Sequence, residues 1–353
     1  MAVSLVALEH GLKNLPPKVL RKHTSPEAPP NLFRLHALMA FIGKCGSGKT
    51  MAMINLLRAY LDANVFTRVF VISPTFESND DWQLIPEIDR HLEEDKDEEA
   101  EDKANLIYAL CGEPQRKKLK PELDFEQESD VYRDSTQAQE AVDDILRKIE
   151  FDVQLWQASM EYALVYKKWK RVRKNITRMT MEEQQLLDEM DFEPPILLPK
   201  PVPVLLIDDM SHSDLFQSSP KNPFMNLCLR HRHVKGVGLT IMICVQNYRT
   251  GAPKCLRQNI GVFFIFGTKD TTQTDAVHEE VGNIVSREEF YKLYHAAIGD
   301  GEHHFLTVDL FPNTREPSLR RAIRFRKDFD QILLSDSLED GEEKRVEETK
   351  EKP

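Results

Sequence analysis

One stretch limits the fold more than any other part of the chain: Ala37-Leu-Met-Ala-Phe-Ile-Gly-Lys-Cys-Gly-Ser-Gly-Lys-Thr50. The apolar run 38–42 is short enough to be a buried strand, and Gly43 ends it. From Gly43 to Thr50 the spacing is G-x-x-x-x-G-K-T, a phosphate-binding loop, and good helix formers continue from Met51 to Tyr60. A strand, a Gly-rich turn and a helix N-terminus in that order make an anion cradle. Gly43, Gly46 and Gly48 let backbone N–H groups turn inward. Lys44, Cys45 and Ser47 supply further loop donors. Lys49 reaches the β/γ-phosphates, and the Thr50 hydroxyl can take a Mg²⁺ ligand position. ATP and Mg²⁺ are the expected ligands, and the fold class is α/β, with a mostly parallel sheet flanked by helices.

With 353 residues and 41% hydrophobic content, the chain can bury one large core, with or without an accessory unit. The net charge of −11 confines any nucleic-acid contact to local basic patches. Five cysteines without a C-x-x-C pair point to a reducing, intracellular compartment and away from structural zinc. No apolar run reaches the length of a membrane span.

Residues 1–30 read as a proline-interrupted arm, 31–330 as the main domain, and 331–353 as a disordered acidic tail. Within the main domain, 68–73 is a second strand, and the loop 73–76 leaves its carboxyl end, the ligand-facing edge of an open α/β sheet. Residues 88–198 break the pattern and read as a charged helical insertion. Eight acids crowd 93–102. Val142, Ile145, Ile149, Val153, Trp156, Met160 and Leu164 then recur on one expected helix face that packs on the core or a partner helix. The helix runs into Lys167-Lys-Trp-Lys-Arg-Val-Arg-Lys174, six positive charges around Trp169. That pattern fits a nucleic-acid backbone with the ring stacked on a base, or a solvated face that balances the acids.

The core resumes at 201–210, where an apolar run ends in Asp208 and Asp209. A buried strand that delivers two carboxylates to the sheet edge suits Asp208 to a Mg²⁺ site and Asp209 to orienting or deprotonating water. The strand 239–245 ends in Gln246, a polar amide suited to contact the γ-phosphate or the lytic water. Residues 260–266 form another buried strand, and 304–310 and 322–326 are weaker ones.

Taken in order, the loop 43–50, the acidic-ended strand 204–209, Arg230-His-Arg-His233, Val245-Gln-Asn-Tyr, Pro253 and Leu256-Arg-Gln-Asn259 resemble the poxvirus-type genome-packaging ATPases of large DNA viruses, within the HerA–FtsK superfamily of phosphate-loop motors. The resemblance covers roughly 35–90 and 200–270. Superfamily members often carry Glu where this chain has Asp209. The resemblance implies an ATP-driven motor that threads double-stranded DNA into a preformed capsid as a homo-oligomeric ring. Its implied partner is a capsid or portal-vertex protein. Its implied location is the host-cell cytoplasm at viral assembly sites, with the virion as a second place. In a ring an Arg from the neighbouring subunit stabilises the transferring phosphoryl group; Arg232 and Arg257 are the favoured candidates, with Arg230 behind them. Competing readings are a helicase or recombination ATPase, a small-molecule kinase, and a scaffold that keeps the loop without turnover.

Overall fold

The computed structural model describes Ala28 and residues 32–84, 130–210, 213–219, 221–299, 301–312 and 324–333. Most of the expected arm, the acidic run 93–102 and residues 334–353 lie outside the described residues. The described strands are β1 (Leu38–Ile42), β2 (Arg68–Ile72), β3 (Val131–Tyr132), β4 (Pro203–Ile207), β5 (Thr240–Val245), β6 (Val262–Phe266), β7 (Phe305–Asp309), β8 (Phe325–Lys327) and β9 (Gln331–Ile332). They form one sheet in the order β3-β2-β4-β5-β1-β6-β7-β8-β9. Neighbours from β3 through β6 pair in parallel, and β6 to β9 pair antiparallel. This is the α/β, mostly parallel sheet that the sequence predicts.

The apolar runs are continuous because both faces of the sheet are covered. In β1, Leu38, Ala40 and Ile42 join one hydrophobic cluster, while Met39 and Phe41 join the other. The second cluster is closed by α1 (Lys49–Asp62), which lays Met53, Ile54, Leu57 and Tyr60 against the sheet. The first is closed by the front half of α2 (Ala138–Arg171), by α4 (Pro223–Arg230), and by α7 (Thr271–Val281) and α8 (Arg287–Ile298). Side chains start several of these helices: Asn222, Asp270 and Ser286 each accept a backbone N–H at an N-cap. Two short helices, α5 (Tyr248–Gly251) and α6 (Lys254–Arg257), lead from β5 back towards β6.

Residues 130 to about 153 were counted in sequence with the insertion, yet they serve the sheet. β3 pairs with β2, and Val142, Ile145, Ile149 and Val153 of α2 pack into the main core. Near Val153 the helix passes the amino edge, where Arg68 at the start of β2 binds Asp152, and Lys235 binds Glu150. From there the sheet no longer lies beneath it, and the buried face rotates. Tyr162, Val165, Tyr166 and Trp169 form a separate small core with Met179 and with Leu187 of α3 (Met181–Glu189). The single stripe expected from 142 to 164 therefore breaks: Met160 is 41% exposed and Leu164 65%. Of the two readings of the 167–174 segment, the one that stacks the Trp169 ring on a base does not hold. That ring is buried against Tyr166 and Phe192, at centroid distances of 5.4 and 5.2 Å, because the α2–α3 hairpin uses it as core. β9 pairs with β8 at residues the sequence reading assigned to the tail.

Candidate active site

β1 delivers Gly43 to the carboxyl edge, where its N–H donates to the Val245 carbonyl (3.1 Å). A Cβ on Gly43 would stand 2.7 Å from Ser47 Oγ and 2.8 Å from Phe266 Cβ, so only glycine fits there. Gly48 starts α1 at φ 92° and offers no side-chain cap, which leaves the first-turn donors of the helix for an anion. Ser47 Oγ is buried without a hydrogen-bond partner. Lys49 is buried at the loop and donates from Nζ to the Lys44 carbonyl (2.7 Å), while Lys44 and Cys45 are exposed at its crest. An orphaned hydroxyl, uncapped amides and an inward lysine on one concave turn fit a polyphosphate.

β4 carries Asp208 to the same edge, two strands away from β1. Thr50 Oγ1 donates to Asp208 Oδ2 at 2.8 Å, so the first helical hydroxyl and the strand-end carboxylate already touch. Burial raises the pKa of Asp208, and the bond from Thr50 offsets part of that shift. Among the described residues no group of three or more His, Cys, Asp or Glu side chains could hold a metal. The Thr50–Asp208 pair fits a Mg²⁺ ion that takes its other ligands from phosphate oxygens and water, the ion's usual habit.

Asp209 differs from its neighbour. It is exposed, adopts φ 54°, and turns its carboxylate to Gln246, whose Nε2 donates to Oδ1 at 2.9 Å. Gln246 reaches it because β5 lies between β1 and β4. A cleft of about 480 Å³ is shared by Lys49, Thr50, Asp208, Asp209 and Gln246, together with Thr75 from the 73–76 loop. The structure thus gathers the loop, both carboxylates and the glutamine around one space.

Three features escaped the sequence reading. His303 stands at the rim of the cleft, at φ 74°, close enough that a Cβ on Gly48 would meet its Nδ1 at 3.3 Å. A second cavity of about 190 Å³ lies on the far side of Gly43 and Lys44, between Gln246–Asn247 and the start of α7. There Gln273 donates from Nε2 to Asn247 Oδ1 (3.0 Å) and to Asp270 Oδ2 (3.1 Å), and accepts from the Arg249 N–H (3.0 Å). Gln273 therefore clamps the turn that carries Gln246. No spacing rule links position 273 to 246; only the fold does.

The two favoured arginines lie elsewhere. Arg257 turns inward over the Tyr248 ring and towards Glu280 (3.9 Å), one turn before the chain enters β6 at the amino edge. Arg232 is exposed, with its guanidinium over Phe311 beyond the end of β7, also at the amino edge. Neither reaches the 43–50 loop of its own chain, so a role at a nucleotide needs a subunit boundary. Arg230 is exposed at the end of α4.

No protein-family model and no curated protein sequence matches the chain. Among solved structures it is similar to the genome packaging NTPase B204 from Sulfolobus turreted icosahedral virus 2 in complex with ATP-gammaS. That similarity has 12% sequence identity and a TM-score of 0.39, over 84% of this chain and 98% of that one. It is also similar to the pCW3 conjugation coupling protein TcpA with ATPgS (12% identity, TM-score 0.35, 77% of this chain and 57% of that one). A third similarity is to ATPases 2 and 3 of EssC from Geobacillus thermodenitrificans (11% identity, TM-score 0.33, 69% and 34%). Likeness at this level assigns no activity; the functional reading rests on the site.

Proposed function

We propose that the chain is a Mg²⁺-dependent ATP hydrolase that works as a motor on double-stranded DNA, threading a viral genome into a preformed capsid as a ring of subunits. One observation carries the hydrolase reading: Thr50 Oγ1 on Asp208 at 2.8 Å and Gln246 Nε2 on Asp209 at 2.9 Å, side by side above a glycine loop that leads into a helix N-terminus.

Each residue then has a chemical task. The amides of Lys44 to Lys49 and the Ser47 hydroxyl bind phosphate oxygens, and Lys49 exchanges the Lys44 carbonyl for the β/γ-phosphates. Thr50 and Asp208 would hold a Mg²⁺ ion, whose chemistry there would be positive charge against the phosphoryl oxygens. Asp209, fixed at Oδ1 by Gln246, keeps its second oxygen to orient the attacking water and take its proton as the terminal O–P bond breaks and ADP leaves. An arginine from the adjoining subunit, Arg232 or Arg257, stabilises the charge on the phosphoryl group in flight.

The motor part of the proposal is supported by the order of motifs in the sequence, from the phosphate loop to the Pro253 and Arg257 segment. The DNA, the ring, the capsid or portal-vertex partner and the viral assembly site in the host cytoplasm follow from that resemblance. The test is steady-state ATP turnover of the full chain with and without duplex DNA. The proposal expects Mg²⁺-dependent turnover that DNA raises and Lys49→Ala abolishes. Turnover that needs a nucleoside acceptor instead would replace it with a kinase, and no turnover at all would leave a scaffold.

A further inference from the structure

The far end of α2 carries charge that the site does not use. Past Val153 about five turns of helix, ~27 Å, run beyond the amino edge of the sheet, away from the cleft. Residues 167–178 hold seven cations and no acid, in a chain whose net charge is −11. Among the described residues Lys168 alone of the seven is ion-paired, to Glu183 at 2.6 Å. Lys170 and Lys174 lie over the Tyr166 and Trp169 rings, which holds their ammonium groups in place on the hairpin core. Lys167, Arg171, Arg173 and Arg178 are exposed.

A helix C-terminus favours cations through its dipole, and that accounts for Lys168, Lys170 and Arg171 in the last turn. It does not account for Arg173, Lys174 and Arg178, which lie past the helix end. Arg173 and Lys174 also sit at φ 57° and 60°, a left-handed turn that costs about 1–2 kcal/mol per residue without glycine. Two long cations thus occupy a strained tip where glycine would be cheaper. The tip is packed: its core of Tyr162, Tyr166, Trp169 and Leu187 is buried, and the Lys168–Glu183 ion pair ties α3 to α2.

We propose that this hairpin is a phosphate-tracking arm that binds the backbone of duplex DNA without reading bases. The proposal rests on the DNA-motor reading and adds the surface that grips the DNA. With Trp169 consumed as core, the arm has charge to offer and no stacking platform. Its contribution is therefore counterion release, which depends on salt and not on sequence.

The test is a full-length quadruple variant, Lys167→Gln, Arg171→Gln, Arg173→Gln and Arg178→Gln, with a charge-keeping partner that exchanges Arg for Lys at 171, 173 and 178. Binding of short duplexes of two unrelated sequences is measured against salt. Each phosphate contact adds about 0.9 to the slope of log K against log salt. If all four cations touch phosphate, a rise from about 50 to 200 mM salt weakens the wild type about 150-fold more than the quadruple variant. The charge-keeping variant retains the wild-type slope, both sequences behave alike, and DNA-free ATP turnover and the melting temperature stay unchanged in both variants. A quadruple-variant slope within 0.9 of wild type, less than one contact, overturns the arm while leaving the motor intact if DNA still stimulates turnover. Tighter DNA binding by the quadruple variant also overturns it.

Discussion

Replacing Gly43 by alanine tests whether the loop's shape, and not only its lysine, sets activity. The new Cβ would lie 2.7 Å from Ser47 Oγ and 2.8 Å from Phe266 Cβ. The serine side chain can rotate, but Phe266 Cβ is fixed to a strand paired on both sides, with β1 and β7. Relief from 2.8 Å to the 3.4 Å of ordinary contact must therefore come from the loop, a shift of about 0.6 Å. Overpacking of this kind costs about 1–3 kcal/mol. At roughly 2.1 cal/mol/K of unfolding entropy per residue over the whole chain, that lowers the melting temperature by about 1 to 4 °C. The larger effect falls on chemistry, since a misplacement of about 1 Å costs ~100-fold in rate. We expect turnover at saturating Mg-ATP to fall at least ~tenfold. The control is Gly46→Ala, where φ is +73° and no atom lies within 4 Å: it carries backbone strain without a clash. Steady-state hydrolysis and calorimetry on both variants decide the matter. The reasoning fails if Gly43→Ala stays within about twofold of wild type, or if Gly46→Ala is the more damaging to turnover.

Asp209→Asn should keep Mg-ATP binding and lose about 10²–10⁴ in kcat, while Asp208→Asn should weaken Mg²⁺-dependent nucleotide binding itself; the opposite pattern in binding and turnover assays would exchange their roles. Gln273→Ala should lower kcat about tenfold with KM unchanged, because it frees the turn behind Gln246 and lies outside the cleft of Lys49 and Thr50; a change in KM alone would contradict the clamp. Burial raises the pKa of Asp309 from 3.8 to about 6, so its charge destabilises the fold increasingly as pH rises from about 4 to 6, and not below. Asp309→Asn should therefore match wild type near pH 3.5 and exceed it by on the order of 3 kcal/mol above pH 6.5 in denaturant melts; a variant that is less stable at pH 7 would show that attraction to Arg326, whose Nη2 stands 3.9 Å from Asp309 Oδ2, outweighs burial.

The chain announced those parts of its fold that rest on local pattern. Apolar runs of four or five residues mark β1, β2, β4, β5 and β6, because strands buried on both faces need no polar alternation. The 43–50 loop, Asp208 and Gln246 were legible for the same reason: each sits at the end of such a run. What local pattern cannot carry is adjacency. Nothing in the composition says that β5 separates β1 from β4, and that insertion is what puts Gln246 against Asp209. Gln273 and His303 reach the site from elements that are unremarkable in sequence. The stripe on α2 misled because helical periodicity identifies an apolar face but not what covers it. Past Val153 the cover changes from sheet to hairpin, and Met160 and Leu164 are left exposed.

The position of β1 sets a schedule for biosynthesis. Its two neighbours, β5 and β6, come late in the chain, and the His36 N–H that ends on Thr240 Oγ1 spans 204 residues. At about 5–20 residues per second, the ribosome needs roughly 10 to 40 s to supply that partner. Throughout that interval the run Leu38–Ile42, wholly apolar and β-prone, has neither flank. A nascent chain of this design depends on chaperone cover more than one whose first strand pairs with its second. The cleft above the 43–50 loop, which needs Asp208 and Gln246, also forms late, so a ligand bound there cannot stabilise the early chain while it is being made.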